Sequence, residues 1–144
     1  MFSKTCEYGI RAILFILTKS SSQERVRLKD IAREIKAPEA FTAKILQILV
    51  RHGIVQSITG PKGGFYIDID DAENIKLIKI VEAIDGDRLV KQCGLGLDKC
   101  DAAHPCPVHD RFMIIRADLV NMLSTMNVLD MADKVKNGQA FLRY

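Results

Sequence analysis

Apolar residues recur at helical spacing in three segments of the first 53 positions, with polar stretches between them. Ser3, a residue type that commonly caps helices, precedes the first segment, and Pro38 and Gly53 bound the third. The second segment, Leu28–Ile35, is separated from the third by a turn at positions 36–37. We predict three helices, and the close succession of the second and third is typical of a helix-turn-helix.

A β-hairpin is predicted directly after the third helix. The runs Ile54–Ile58 and Phe65–Ile69 have strand character and flank a turn rich in glycine and proline. A helix-turn-helix followed by a hairpin makes a winged helix, in which the hairpin is the wing. The predicted fold class is therefore mainly α with a small β-hairpin, a winged helix-turn-helix followed by a long C-terminal dimerisation helix.

The second half of the chain reads as helical apart from one cysteine-rich stretch. Apolar spacing predicts a fourth helix ending at Gly86, a long helix from Pro107 to about Met126, and a final helical turn over Leu129–Val135 before a loose tail. Apolar residues of the long helix alternate in steps of four and three, which is typical of a coiled-coil seam. We predict that this seam forms a homodimer, although it could instead dock on its own domain; its residues are Val108, Phe112, Ile115, Leu119, Met122 and Met126.

These elements divide the chain into three predicted parts: a DNA-binding domain at 1–86, a cysteine-rich loop at 87–106, and a dimerisation helix with its tail at 107–144. Charge is also unevenly distributed, since residues 1–66 carry 11 Lys and Arg against 5 Asp and Glu, a balance of +6. Residues 67–144 carry 10 against 13, a balance of −3. A basic first half indicates a polyanionic partner.

The size and composition suit a small cytoplasmic protein. The 144 residues, 48% of them hydrophobic, are enough for one packed domain. No apolar run approaches the ~20 residues that span a bilayer, and no cleavage site of a signal peptide is recognisable. In a reducing compartment, four cysteines are more typical of metal or redox chemistry than of disulfides.

Candidate DNA-binding residues lie on the third helix and at the tip of the wing. Thr and Gln side chains can hydrogen-bond base edges, while Lys and Arg can neutralise phosphates. The predicted solvent face of the helix and the wing tip supply Thr42, Lys44, Gln47, Arg51, Lys62 and Gly63. The alternative is that these are ordinary solvated residues of a helical domain.

Three cysteines of the loop are candidate metal ligands. Six residues separate Cys93 from Cys100, and five separate Cys100 from Cys106. Thiolates at such spacings can converge on an iron–sulfur cluster, whereas zinc ligands usually come in tighter pairs. Zinc, free redox thiols, or no cofactor are the alternatives. Cys6 lies on the apolar face of the first helix and is predicted to be a core residue.

Several motifs in the first half resemble the Rrf2 family of bacterial winged-helix transcriptional regulators. They are Tyr8-Gly9-Ile10-Arg11-Ala12, Ile31-Ala32, Gly53-Ile54-Val55-Gln56-Ser57 and Gly60-Pro61-Lys62-Gly63-Gly64-Phe65. This resemblance implies a homodimer on a palindromic operator and an iron–sulfur cluster, of two or four irons, on the three cysteines. It also implies His109 as the fourth ligand, with Glu7, reaching from the partner subunit, as the alternative.

No pattern typical of an enzyme is present. The glycine-rich turn lacks the Lys-Ser/Thr ending of a phosphate-binding loop, and no nucleophile paired with a base is recognisable. We expect no catalytic residues. A protein partner, bound through the same fold, is the alternative to DNA, and strongly salt-dependent binding to a duplex would distinguish the two.

Overall fold

A computed structural model describes residues 1–20 and 24–143, and its first half contains the three helices predicted from the sequence. Ser3 caps the first helix, because its Oγ accepts a hydrogen bond from the amide of Cys6 at 3.0 Å. Ser3 also donates its hydroxyl to the carboxylate of Asp85, which ties this cap to a later helix. The turn between the second and third helices contains Lys36 in the left-handed conformation, with φ of 55°. The helices are α1 (Lys4–Ser20), α2 (Leu28–Ile35) and α3 (Glu39–Arg51).

The hairpin is present but its strands are shorter than predicted. Strands β1 (Gln56–Ile58) and β2 (Gly64–Tyr66) pair antiparallel. Ile54 and Val55 are not in the strand, because their amides donate to the carbonyl of Leu49 and close the end of α3. At the other end, the second predicted run passes into a one-turn helix, α4, which spans Ile69–Ala72.

The C-terminal half contains four helices in the part that the structure describes. The predicted fourth helix ends at Gly86 as expected, and the long helix lies within two residues of its predicted bounds. One short helix lies inside the stretch that was predicted to be irregular. The helices are α5 (Leu77–Asp85), α6 (Arg88–Lys91), α7 (His109–Thr125) and α8 (Val128–Lys136).

A hydrophobic core of residues from both halves of the chain joins the two halves. Helix α1 lies at its centre and packs against α2, α3, α5 and α8. Leu123, Val128 and Ala132, from the last part of the chain, are each at most 2% exposed and belong to this core. The three-part division by residue number stays a prediction, but the C-terminal segment packs on the N-terminal helices.

The prediction of a loose tail is wrong as far as residue 143. Leu142 packs against the core, and the guanidinium of Arg143 lies 3.6 Å from the carboxylate of Glu34 on α2. Leu142 and Arg143 therefore hold the tail against the rest of the folded chain. Over residues 1–20 and 24–143, no helix combines the length and hydropathy that a membrane span requires.

Cys6 is a core residue, as predicted. Its side chain is 0% exposed on α1. Burial, followed by the nearby carboxylate of Asp85, raises the pKa of Cys6 to about 12. This thiol therefore stays protonated at neutral pH, and a protonated thiol is a poor nucleophile and metal ligand.

Candidate DNA-binding surface and cysteine site

Three of the four candidate side chains on α3 lie on its solvent face. Lys44, Gln47 and Arg51 are all exposed, at steps of three and four along the helix. No described carboxylate forms an ion pair with either cation. This face combines an amide that can read base edges with two cations that can contact phosphates.

The prediction that Thr42 lies on this face is wrong. Thr42 is 0% exposed, and its hydroxyl donates to the carbonyl of Pro38 at 3.0 Å. The position lies three and four residues before Ile45 and Leu46, which are both at most 1% exposed. Helical spacing therefore places Thr42 on the inner stripe, where its hydroxyl is satisfied within the first turn of α3.

Close approach of backbone atoms fixes the wing turn. The amide of Gly63 donates to the carbonyl of Gly60 at 2.9 Å, and the side chain of Lys62 is exposed beside it. A Cβ at Gly63 would lie 2.1 Å from the carbonyl oxygen of Ile58, so only glycine fits. The turn thus presents Lys62 on a backbone that tolerates no side chain at the next position.

Two arginines that sequence reasoning missed lie against this turn. Arg25 donates from Nη1 to the carbonyl of Lys62, and Arg27 donates from Nη2 to the carbonyl of Pro61, both at 3.1 Å. In the sequence they belong to a polar run between α1 and α2, which gave no strand signal. The available signal was the β-branched Val26 between them, which pairs with the wing.

The four candidate metal ligands of the loop and of α7 form two close pairs. The Sγ atoms of Cys93 and Cys106 are 4.0 Å apart, and Sγ of Cys100 is 3.6 Å from Nδ1 of His109. Within the described residues, no three His, Cys, Asp or Glu side chains are grouped closely enough to hold one metal ion. From its place in the first turn of α7, His109 was expected beside Cys106. In the structure it lies beside Cys100.

Each of the two distances is close to the distance between two ligands of one tetrahedral metal ion. Thiolates ~2.3 Å from a tetrahedral ion lie roughly 3.8 Å apart, and a thiolate and an imidazole on one ion lie roughly 3.5 Å apart. The donors themselves, three thiols and one imidazole, suit iron or zinc.

The loop backbone favours the thiolate form of Cys93. Hydrogen bonds from the amides of Leu95 and Leu97 hold the pKa of Cys93 below its ordinary value. The Cys106 thiol and the Arg116 guanidinium lower it further. Cys93 is 5% exposed, so this thiolate would be sheltered from bulk water.

Glu7, the alternative fourth ligand, pairs with a lysine in the single chain. Its carboxylate accepts a hydrogen bond from Nζ of Lys4 at 2.8 Å, and this bond lowers the pKa of Glu7. Both residues are on the first two turns of α1 and neither is fully buried. A role for Glu7 toward a partner subunit's cysteine site stays a prediction.

The model of the Rrf2 family, described as iron-dependent transcriptional regulators, matches residues 2–134. The chain belongs to the Rrf2 family. An HTH-type transcriptional regulator of Aquifex aeolicus is 26% identical over 133 residues, which cover 91% of this chain and 90% of that protein. The regulator IscR of Cronobacter sakazakii is 25% identical over 139 residues, covering 90% of this chain and 84% of that protein.

A solved structure supports the same fold. CymR, the global cysteine regulator of B. subtilis, superposes with a TM-score of 0.75 at 20% identity, over 92% of this chain and 96% of that one. The winged-helix fold predicted from the sequence is thereby confirmed. The Rrf2 relatives are transcriptional regulators, so the coarse function of this chain is regulation of transcription.

In this Rrf2 protein, α7 holds the cysteine loop through a buried arginine. Arg116 is 8% exposed and donates from Nη2 to the carbonyl of Gln92, next to the first loop cysteine. Its guanidinium carbon lies 5.1 Å from the ring centroid of Phe112, and that ring packs on the backbone of Gly94. Its Nε is buried without a hydrogen-bond partner among the described residues.

We expect Arg116→Met to loosen the cysteine loop. A hydrogen bond that involves a charged group contributes ~1.5–3 kcal/mol, so its loss should speed amide exchange at Leu95 and Leu97 by about tenfold or more. Hydrogen–deuterium exchange of the metal-free protein measures this effect. The control is Arg111→Met, since Arg111 is an exposed arginine on the same helix. Equal exchange in Arg116→Met and the parent protein would contradict the anchoring role.

The six apolar residues of the predicted seam, which lie on α7 and at its two ends, differ in their exposure in the single chain. Leu119 and Met126 pack against the protein's own core, and Phe112 packs on the cysteine loop. Val108, Ile115 and Met122 are left exposed by 39%, 61% and 40%. In the single chain these six residues therefore meet two surroundings, because their steps of four and three cover a broad sector of the helix. That they form the dimer contact stays a prediction.

Proposed function

We propose that this chain is a cytoplasmic transcription factor that binds a palindromic operator as a homodimer under the control of an iron–sulfur cluster. The proposed cluster ligands are Cys93, Cys100, Cys106 and His109. The observation that carries the cluster is the arrangement of these donors in two pairs, 4.0 and 3.6 Å apart. These donors could hold a cluster of two or four irons, which would supply redox chemistry at the loop.

DNA binding is supported by the exposed face of α3 and the wing. Lys44, Gln47 and Arg51 would enter or line the major groove, while Lys62 would reach backbone or minor groove from the wing. Recognition helices of a dimer lie about one helical turn of DNA apart or a multiple of it. The exposed row on α7 is the surface that we propose for the dimer contact.

A packed path connects the proposed cluster with the recognition helix. Helix α5 contacts α7, which carries His109, and also contacts α3. When bound, the cluster supplies a centre that can change charge or be lost, and a histidine ligand makes either event easier than a fourth thiolate would. Release of the loop would then free α7 and shift the two α3 helices relative to each other.

The first test is anaerobic purification with a visible absorption spectrum and analysis of iron, sulfide and zinc. We expect a brown protein with matched iron and sulfide, and a colourless Cys106→Ala variant. The matched control is Cys6→Ala, which removes a core thiol and should keep the colour. Comparison of His109→Ala with Glu7→Ala then identifies the fourth ligand.

Operator binding is measured with the cluster present and after its removal, on duplexes selected from a random library. A different affinity of the two forms supports the proposed control, and equal affinity contradicts it. A colourless protein with one zinc per chain would mean that the cysteine loop binds a structural zinc ion and not an iron–sulfur cluster. A protein that contains neither iron nor zinc would contradict control by a bound metal.

Thiol-based sensing without a cluster is the second candidate, and the close pair Cys93–Cys106 favours it. Sulfur atoms 4.0 Å apart need little movement to form a disulfide, whose S–S bond is ~2.05 Å long. The structural relative CymR is a global cysteine regulator, which makes a thiol signal a reasonable alternative to iron. A metal-free protein whose DNA affinity changes on oxidation with hydrogen peroxide, and reverts with dithiothreitol, would establish this candidate.

A further inference from the structure

The segment just before α2 is part of the wing. The amide of Val26 donates to the carbonyl of Phe65 at 2.8 Å, and the amide of Phe65 donates to the carbonyl of Val26 at the same distance. This antiparallel bridge places a third extended segment beside β2. A Cβ at Gly64 would lie 2.8 Å from the Val26 carbonyl oxygen, so a glycine at this position allows the close approach.

The residues on either side of Val26 share one face of this segment, because alternate residues of an extended chain point the same way. They are Arg25 and Arg27, and both reach the wing turn, where they bind the carbonyls of Lys62 and Pro61. A shallow pocket of about 270 Å³ results; it is lined by Arg25, Arg27, Lys62 and Gly63. The wing tip thus gathers three cations from two separate parts of the chain.

None of these three cations is neutralised within the described chain. All are exposed, and no described carboxylate lies within ion-pair distance of them. A guanidinium has five N–H donors, and each arginine has one donor bound to a turn carbonyl, so further donors stay available. Clustered guanidinium groups with free donors are suited to bind a phosphate group.

We propose that Arg25 and Arg27, together with Lys62, form a binding site for a phosphate of the DNA backbone. The two arginines would also hold the wing turn in place, through the carbonyls that they already bind. The proposal rests on the DNA-binding function proposed above and adds the two arginines to the backbone contact expected of the wing lysine. Such a contact would fix the register of the wing on the duplex without reading sequence.

The test is the salt dependence of binding to a mixed-sequence duplex, where phosphate contacts supply essentially all the affinity. Each phosphate contact contributes about 0.9 to the slope of log Kobs against log salt concentration. We expect the double variant Arg25→Gln, Arg27→Gln to lower this slope by about 0.9 per bound protomer, because both arginines contact the same phosphate, and each single variant to lower it by less. The control Arg88→Gln, on α6 away from the hairpin, should leave the slope unchanged.

A second variant separates the phosphate contact from simple bracing of the wing. Lysine keeps the charge at both positions but loses the planar fork of arginine. The double variant Arg25→Lys, Arg27→Lys should therefore recover most of the salt slope. If it stays as low as the double glutamine variant, the arginines act by holding the turn and the phosphate site is wrong.

An unchanged slope in the double glutamine variant, with the parent protein binding normally, would also overturn the phosphate site. That result would leave the DNA-binding function standing. If the parent protein binds no duplex at low salt, the proposed function fails, and the phosphate site fails with it.

Discussion

Gly63→Ala is expected to weaken binding to selected operator DNA by roughly 10- to 100-fold, which corresponds to about 1.4–2.8 kcal/mol. The added Cβ would lie 2.1 Å from the backbone oxygen of Ile58 and 2.9 Å from that of Gly60. Neither backbone atom can move without opening the hairpin, so the turn itself must rearrange. Lys62 and the carbonyls bound by the arginines would then lose their positions. Fluorescence anisotropy with a labelled operator measures the change.

The helical core should survive this substitution, because the wing turn lies outside it. Far-ultraviolet circular dichroism is expected to match the parent protein. Gly138→Ala is the control, since Gly138 has φ of 70° and open space around its Cβ position, far along the chain from the wing. It introduces a backbone cost of ~1 kcal/mol at the end of α8 and should leave DNA affinity unchanged. Parent-like DNA affinity in Gly63→Ala would mean that the wing turn does not contribute to binding.

Ile115→Glu is expected to convert the proposed homodimer into a monomer at micromolar concentration and to weaken operator binding by at least about 100-fold. Ile115 is 61% exposed in the single chain and is the central residue of the exposed row formed with Val108 and Met122. A carboxylate placed in such a contact must be desolvated without a partner, which costs several kcal/mol. Loss of the dimer removes the simultaneous binding of two half-sites. Sedimentation velocity and anisotropy measure the two effects.

The control for this substitution is Ala117→Glu on the same helix. Ala117 is exposed and lies 200° around the helix from Ile115, because each residue turns by ~100°. The same charge added there should leave both the oligomeric state and DNA binding unchanged. If Ala117→Glu dissociates the dimer and Ile115→Glu does not, the dimer contact lies on another face of α7.

Local signals in the sequence were sufficient for most of the elements. The cap at Ser3, the stop at Gly86 and the glycine-rich turn all reflect short-range chemistry, and the structure places elements close to the predicted bounds. The predictions were wrong where apolar residues pack against or close another element and do not lengthen a helix or strand of their own. Ile54 and Val55 close the end of α3. Leu142 packs on the core and holds the C-terminal tail, which was predicted to be loose.

The candidate site was predicted less completely than the fold. Thr42 was assigned to the solvent face because its side chain is polar, yet its hydroxyl is satisfied by the carbonyl four residues earlier, which permits burial. Arg25 and Arg27 gave no signal because their partners are turn carbonyls more than thirty residues away. Arg116 likewise acts on a loop 24 residues earlier, and helical spacing does not predict such a contact.

The sequence by itself determined the order of the helices, the position of the wing, and the residue types available for DNA and metal binding. These features depend on periodicity, capping and turn chemistry, which act over a few residues. Only the tertiary structure decided which thiol lies beside which donor, how the apolar residues of α7 divide between core and surface, and which arginines reach the wing. Those outcomes depend on contacts between segments that are far apart in the sequence. Periodicity, capping and turn patterns act locally and do not predict such contacts.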